Sequence, residues 1–495
     1  MPKFLKDTRF WFFLIFCLAA ILRFYRLPEY LQFLGDEGRD VLVVKHMIVN
    51  HQWTLLGPTA SVGGFYIGPI YYYFMLPFLW LFGLDPVGPA VMAVLFGLAT
   101  VVLVYIFCRA FFNERTALLA AFLMAISPKM TYISRFSWNP NPVPFFALLG
   151  IGLLYLAVIR KKKLYTFLSG IVLGVMFQLH YMDLVFIPII FLTGLLVFPV
   201  REWLLQTLAI VAGFLVGDSL FLLFEIRHGF PNTKTMLEFI TRRGGAVGPR
   251  SFNFLWLFDA MLRRLYETVL GFRGYLLDFF YYFSVAGFSF WAIRRIRARV
   301  DEAKIKLLLV WLFVGVLGMG SYRGQLLDHY FGFLYPLPFI FLGVTFSYLT
   351  QKRAFWPILA VFLALLTFME INNMYFWQPP NNLVAQTKTV DQIVLNLADN
   401  KPYNFALLSL GNSDHAYRYF LEIWGKPPIT IESPQVDPER KTVTDQLIAV
   451  CEQGDCKPLG NPLWEVAGFG RGEIAGAKQG PAGITVYKLV HYMGK

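Results

Sequence analysis

Charge is scarce in this sequence. Asp, Glu, Lys and Arg make up 15% of its 495 residues, against roughly 25% in an ordinary soluble domain. With 57% of positions apolar and a mean hydropathy of +0.54, that shortage excludes a water-soluble enzyme and a disordered chain. Cysteine is nearly absent, with four residues. Cys17 and Cys108 lie inside apolar runs and read as packing residues. Cys451 and Cys456, in CEQGDC, lack the CxxC spacing of a metal site, and their separation leaves a small disulfide and two free thiols equally open. No nucleotide-binding strand–turn–helix pattern occurs in the loops. No internal repeat and no inverted pair of interrupted helices is visible, which weighs against the common transporter architectures. Acidic residues are outnumbered 31 to 44, giving a net charge of +13. What is abundant is long continuous apolar sequence, with 51 Phe, 25 Tyr and 12 Trp. This pattern predicts an all-α polytopic membrane protein, not an alternating membrane β-barrel.

Eleven runs read as spans: 10–22, 88–108, 116–133, 143–159, 164–179, 184–198, 204–224, 276–293, 307–319, 331–349 and 356–368. Another run, 67–84, is broken by Pro69 and Pro77. If it does not cross, Arg109, Arg115, the basic run 160–163, Arg201, the 294–306 stretch and Lys352-Arg353 all fall on the cytoplasmic side, as basic loops should. About 11 transmembrane helices are therefore expected, with the N-terminus inside. Interfacial helices lie within a long first outer loop, 23–87. Residues 1–377 form the membrane domain. The linker QPPNN introduces a soluble composition, so 378–495 is expected to be a small extracytoplasmic α/β domain. Its helices are expected at 387–398 and 414–424, and its strands at 405–410, 429–431, 447–451 and 484–490.

In this topology the polar residues near the spans collect at the outer face. They are Asp36, Glu37 and Arg39 in GDEGRD; Arg135, Asn139 and Asn141 in SRFSWNPNP; His180 and Asp183; Glu225, Arg227 and His228; and Arg323, Asp328, His329 and Tyr330. Lys129 and Asp218 lie at the outer ends of their runs. A pump would place ionisable groups along a path at mid-membrane depth, whereas one shared depth suits a site at the membrane–water boundary. Asp36-Glu37 is the sharpest feature. Val41, Val44 and Ile48 share one helical face, so Asp36 is expected near the start of an amphipathic interfacial helix. There it acts either as a base or as a helix cap. Arg135, flanked by Tyr132, Phe136 and Trp138, reads as a lipid-phosphate ligand or as an interfacial anchor. Arg242, Arg243 and Arg250 read as a steering patch or a solvated loop.

These features together resemble the GT-C glycosyltransferases: the acidic pair after the first helix, the long outer loop, the GPIYYY segment and the arginine turn before span 4. The chain is similar in particular to the protein O-mannosyltransferase-like group of family 39, which includes transferases that modify lipid A. The resemblance covers about residues 1–350. It implies a GT-C fold and transfer of a sugar from a polyprenyl-phosphate donor to an envelope lipid, glycan or protein acceptor, with inversion. It implies Asp36 as catalytic base with Glu37 beside it. Tyr71, Tyr72 and Arg135 fall in the donor region, and Arg39, Asn139, His180, Arg227, His228, Arg323, His329 and Tyr330 are further substrate-binding candidates. Many members carry Lys or His where this chain has Gly68, so the phosphate charge must be met elsewhere. No cofactor is required. A divalent metal beside Asp36, Glu37 and His180 is compatible with the residues, but no spacing compels one. The rival readings are a lipid or glycan flippase, and an envelope-glycan polymerase or ligase.

Overall fold

The computed structural model describes residues 7–60, 62–241, 254–322, 324–352, 354–377, 383–453 and 456–494. In chain order the helices are α1 (Thr8–Phe24), α2 (Gly35–Val49), α3 (Ile70–Leu81), α4 (Val87–Phe111), α5 (Glu114–Ile126), α6 (Pro128–Ile133), α7 (Val143–Arg160), α8 (Lys163–Leu179), α9 (Phe186–Val197), α10 (Val200–Gly217), α11 (Ser219–His228), α12 (Pro231–Thr241), α13 (Phe254–Leu270), α14 (Gly274–Arg297), α15 (Glu302–Ser321), α16 (Pro336–Leu349), α17 (Phe355–Asn372), α18 (Val384–Ala398), α19 (His415–Ile423) and α20 (Trp464–Phe469). The strands are β1 (Asn404–Leu408), β2 (Gln446–Cys451), β3 (Gly472–Gln479) and β4 (Thr485–His491).

All eleven apolar runs fold as helix. In hydrocarbon this is the solution that satisfies every backbone donor within its own segment. Among the described residues, α4, α7, α10, α14, α15 and α17 are each long and apolar enough to cross a membrane alone. The short helix Asp328–Leu334 and α16, bent by 52°, form a seventh such unit. The runs under α1, α5, α8 and α9 form shorter helices of 17, 13, 17 and 12 residues. The run 116–133 breaks at Ser127, whose side chain caps the next helix at Pro128. On α17, Val361 and Phe368 are 62% and 68% exposed, an apolar surface that only lipid can cover. This is a multi-pass membrane protein.

The chain separates into two compact units. Among the described residues, the first comprises 7–25, 53–78 and 89–377, and the second 26–52, 79–88 and 383–494. Within the first unit, α8 and α10 meet along paired glycines. A Cβ on Gly170 would lie 2.2 Å from the Ile210 carbonyl oxygen, and one on Gly213 would lie 2.0 Å from that of Phe167. Gly174 and Gly217 repeat the contact one turn on. Each helix thus presents a G-x-x-x-G face that lets the backbones touch.

The second unit carries a four-stranded sheet in the order β1-β2-β4-β3. β1 runs parallel to β2, and the other two pairings are antiparallel. Alternation sorts its two faces. Phe405, Leu407, Ile448 and Val450 face a core with Val390 and Val394 of α18. Ala406, Leu408, Leu447 and Ala449 face Val466 and Phe469 of α20. The expected helices and three of the four expected strands are present. The expected strand at 429–431 reduces to a single bridge, Asn404 to Ile429, while β3 is an additional edge strand. Cys451 and Cys456 are joined as a disulfide, with Cα atoms 6.0 Å apart.

The composition break at 378 does not bound the second unit, because 26–52 and 79–88 belong to it as well. The Val384 N–H donates to the Leu31 carbonyl at 3.0 Å, and the Phe33 ring packs on Phe420 with centroids 5.4 Å apart. Helix α2 packs on α19 within this unit.

Candidate active site

The acidic pair is positioned by the glycines around it. A Cβ on Gly35 would lie 1.9 Å from Ser413 Oγ, and one on Gly38 would lie 2.3 Å from the Ala416 amide nitrogen. Only a bare backbone at both positions lets the start of α2 reach the start of α19. Farther along, Lys45 and His46 both bind Glu422 at 2.6 Å. The cap residue of α2 is Leu34, not Asp36. Glu37 reaches back one turn, its Oε2 accepting from the Leu34 N–H at 2.9 Å. It is 4% exposed, and burial pushes its carboxyl up to about 8. Glu37 is therefore largely protonated at neutral pH.

Asp36 turns the other way. Its side chain is half exposed and accepts from Arg39 at 2.9 Å. Arg39 also binds the fully buried Asp40 at 2.8 Å. One guanidinium thus holds two carboxylates, one open to solvent and one enclosed. Sequence reasoning passed over Asp40, although Asp36 and Asp40 share a helical face. It also missed His415, at the first turn of α19. That imidazole pairs with Ser413 Oγ at 2.8 Å. Burial lowers its pKa, and the charges of Asp36 and Arg39 both act on it.

In the first unit, helix ends bring His180, His329, Tyr330 and Trp138 together. The two imidazole centroids are 5.2 Å apart, and Trp138 and His329 are 4.5 Å apart. The Tyr181 hydroxyl donates to Tyr330 at 2.6 Å. His180 Nδ1 accepts from the Met182 N–H at 3.2 Å. Burial, with His329 beside it, holds His180 neutral. Asp328 draws two cations, Arg264 at 3.4 Å and Lys129 at 4.0 Å. Arg264 lies on α13, whose apolar residues recur four apart (Leu257, Met261, Leu265), the signal that could have found a helix carrying it. Asn139 is buried and donates to the Leu179 carbonyl.

Arg135 faces inward. It is 1% exposed and donates to the carbonyls of Leu22 and Arg23 at 3.0 and 2.9 Å and to the Tyr375 hydroxyl. Tyr71 and Tyr72 are buried, and the Tyr71 hydroxyl pairs with Ser137 Oγ at 2.7 Å. Gly68 has a steric reason. A Cβ there would lie 2.2 Å from Gln178 Cγ. The Gln178 amide accepts from the Ile70 N–H at 3.3 Å and donates to the Gly217 carbonyl at 2.7 Å. The space beside Gly68 is filled by a glutamine from α8.

Glu225 is buried and caps α12, accepting from the Thr233 N–H at 2.8 Å. Arg227 is exposed, and His228 stacks on Phe224 of its own helix. Arg323, Arg242, Arg243 and Arg250 lie outside the described residues. Among the described residues, no group of three or more His, Cys, Asp or Glu side chains is arranged to hold a metal ion.

Residues 67–223 match the family model described as dolichyl-phosphate-mannose-protein mannosyltransferase. The crystal structure of ArnT from Cupriavidus metallidurans bound to undecaprenyl phosphate aligns with a TM-score of 0.64 at 15% identity, over 97% of this chain and 98% of that one. The chain has the GT-C fold. Its apo ArnT counterpart gives a TM-score of 0.62 at 14% identity, covering 97% of each chain. The archaeal oligosaccharyltransferase AglB from Archaeoglobus fulgidus, in complex with an inhibitory peptide and a dolichol-phosphate, gives 0.54 at 14% identity. This chain is covered over 89% of its length in that alignment, and AglB over 69%. No curated protein sequence matches this chain.

Proposed function

We propose that this protein is an integral-membrane glycosyltransferase that moves a sugar from a polyprenyl-phosphate to an acceptor hydroxyl or amine. The site works at the outer face of the cytoplasmic membrane, with the N-terminus inside and residues 378–495 outside. The observation that carries the reading is the start of α2: an exposed Asp36 oriented by Arg39, beside a Glu37 kept protonated by burial. It occurs in a chain whose residues 67–223 match a family of lipid-linked mannosyl transfer.

Asp36 takes the proton from the acceptor as its oxygen or nitrogen attacks the anomeric carbon. Arg39 fixes the direction of the carboxylate. Because Glu37 is neutral, it adds no second negative charge beside the base. The leaving phosphate needs cations more than it needs an acid. Attack opposite the leaving group inverts the anomeric centre. The reading requires no cofactor.

The test is transfer from an undecaprenyl-phosphate-linked sugar by the purified chain in lipid nanodiscs. The Asp36→Asn variant should keep its melting temperature and lose about 10²–10⁴-fold in rate. Full turnover by that variant would remove Asp36 as the base. Absence of donor binding by the wild-type chain would remove the whole reading.

A further inference from the structure

We propose that a cleft in the second unit, beside the first residue of α2, is a subsite for a neutral sugar ring of the acceptor. The proposal rests on the glycosyltransferase reading and specifies its acceptor as a glycan or glycolipid. The cleft encloses about 410 Å³, within the size range of small-molecule sites. Its polar wall is Ser409, Asn412, Glu452 and Gln453, and its apolar wall includes Leu34 and Ile484.

This composition matches a pyranose, which carries a rim of hydroxyls and a face of C–H groups. Glu452 is already oriented. Its Oε1 accepts from Asn412 Nδ2 at 2.8 Å and from the Tyr417 hydroxyl at 2.9 Å. Its Oε2 takes no hydrogen bond among the described residues and remains an acceptor for sugar hydroxyls. A carboxylate, a hydroxyl and two carboxamides supply donors and acceptors in the mixture that polyhydroxylated rings need. Among the described residues no Lys or Arg lines the cleft, which disfavours a phosphate as its ligand, and Glu452 repels anionic rings.

The cleft is wired to the acidic pair. Asn412 Oδ1 accepts from the Gly35 N–H at 2.8 Å, and the next residue is Asp36. The amide that would touch the sugar therefore also anchors the first turn of the helix that carries the base. Opposite, Ala482 holds a left-handed backbone with φ 56°. That conformation is uncommon for a non-glycine residue and concentrates at ligand sites.

The experiment uses the full chain in nanodiscs and saturation-transfer NMR with methyl glucoside, methyl N-acetylglucosaminide and glucose 6-phosphate as probes. The neutral glycosides should receive saturation and the phosphate ester should not. Ser409→Leu, which fills the cleft, and Gln453→Ala, at an exposed position, should each lower the signal at least threefold. Equal signals in wild type and Ser409→Leu, no signal in wild type, or preference for the phosphate ester would overturn the subsite. So would saturation of a sugar-free peptide in place of the glycosides. Undecaprenyl-phosphate binding is measured on the same samples. If the donor binds and the sugars do not, the subsite alone falls. If the sugars bind in the cleft and the donor does not bind, the transferase reading falls.

Discussion

Arg135 donates to the carbonyl oxygens of Leu22 and Arg23, and Arg23 donates to those of Met124 and Ala125. Each arginine thus caps the last turn of the helix that lies against it, α1 in one case and α5 in the other. Orphan carbonyls at helix ends need such partners when water is excluded.

A structural consequence can be measured. Arg135→Ala strands two carbonyls, each worth about 1–3 kcal/mol when buried without a partner. The melting temperature in detergent should fall. Arg135→Lys should fall as well, since an ammonium lacks the guanidinium fork. Unchanged melting with weakened donor binding would instead place the guanidinium at the phosphate.

Gly68→Ala drives a methyl group into Gln178. Overpacking of this kind costs about 1–3 kcal/mol. Gly68→Lys should not improve donor affinity, because its Cβ meets the same atoms. Pairing Gly68→Ala with Gln178→Ala should recover part of the loss, read as a non-additive double-mutant cycle in thermal unfolding. Additive costs would show that the two residues do not share the space.

Glu37 binds its proton more tightly in the folded chain, near 8, than in the unfolded one, near the ordinary Glu value of about 4.3. Its contribution is therefore complete below about 4.3 and is lost as pH rises to about 8, by at most about 1.4 kcal/mol per pH unit. Glu37→Gln cannot ionise, so its stability relative to wild type should rise between pH 5 and pH 8. Parallel melting curves across that range would mean that Glu37 is already ionised when folded.

The proposed orientation is tested by single cysteines placed at Lys162 and Gln435 in a chain whose own cysteines are blocked. A membrane-impermeant maleimide should label Gln435→Cys in intact cells and Lys162→Cys only after lysis. Labelling of both from one side would refute the sidedness derived from the basic loops.

The spans were legible because hydrocarbon leaves a chain little choice: an apolar run of sufficient length must be helical. The two G-x-x-x-G faces in 167–217 were equally plain in the letters but were not read as a contact, since nothing in the local sequence states which helix each one meets. The acidic pair was found from its surroundings. The division of labour within it was not, because whether Asp36 or Glu37 turns inward depends on tertiary packing, and the burial that raises Glu37 is not written in the neighbouring residues. β3 was invisible because an edge strand with charged, exposed positions lacks the alternation that marks a buried one. That 26–52 and 79–88 join the second unit was hidden for a related reason: composition records solvent exposure, not which segments share a core.

The glycine contacts of Gly35 and Gly38 with Ser413 and Ala416 set an order of events during synthesis. The loop that carries Asp36 leaves the ribosome about 370 residues before the segment it packs on. At roughly 5–20 residues per second, that is a delay on the order of 20–80 s. Through that interval the glycine side of α2 has no α19 to rest on, while the remaining helices enter the membrane. A chain interrupted between about residues 378 and 412 would hold every predicted span and still lack α19, on which Gly35 and Gly38 of α2 rest. The packing around Asp36 is therefore completed only after α19 has been made.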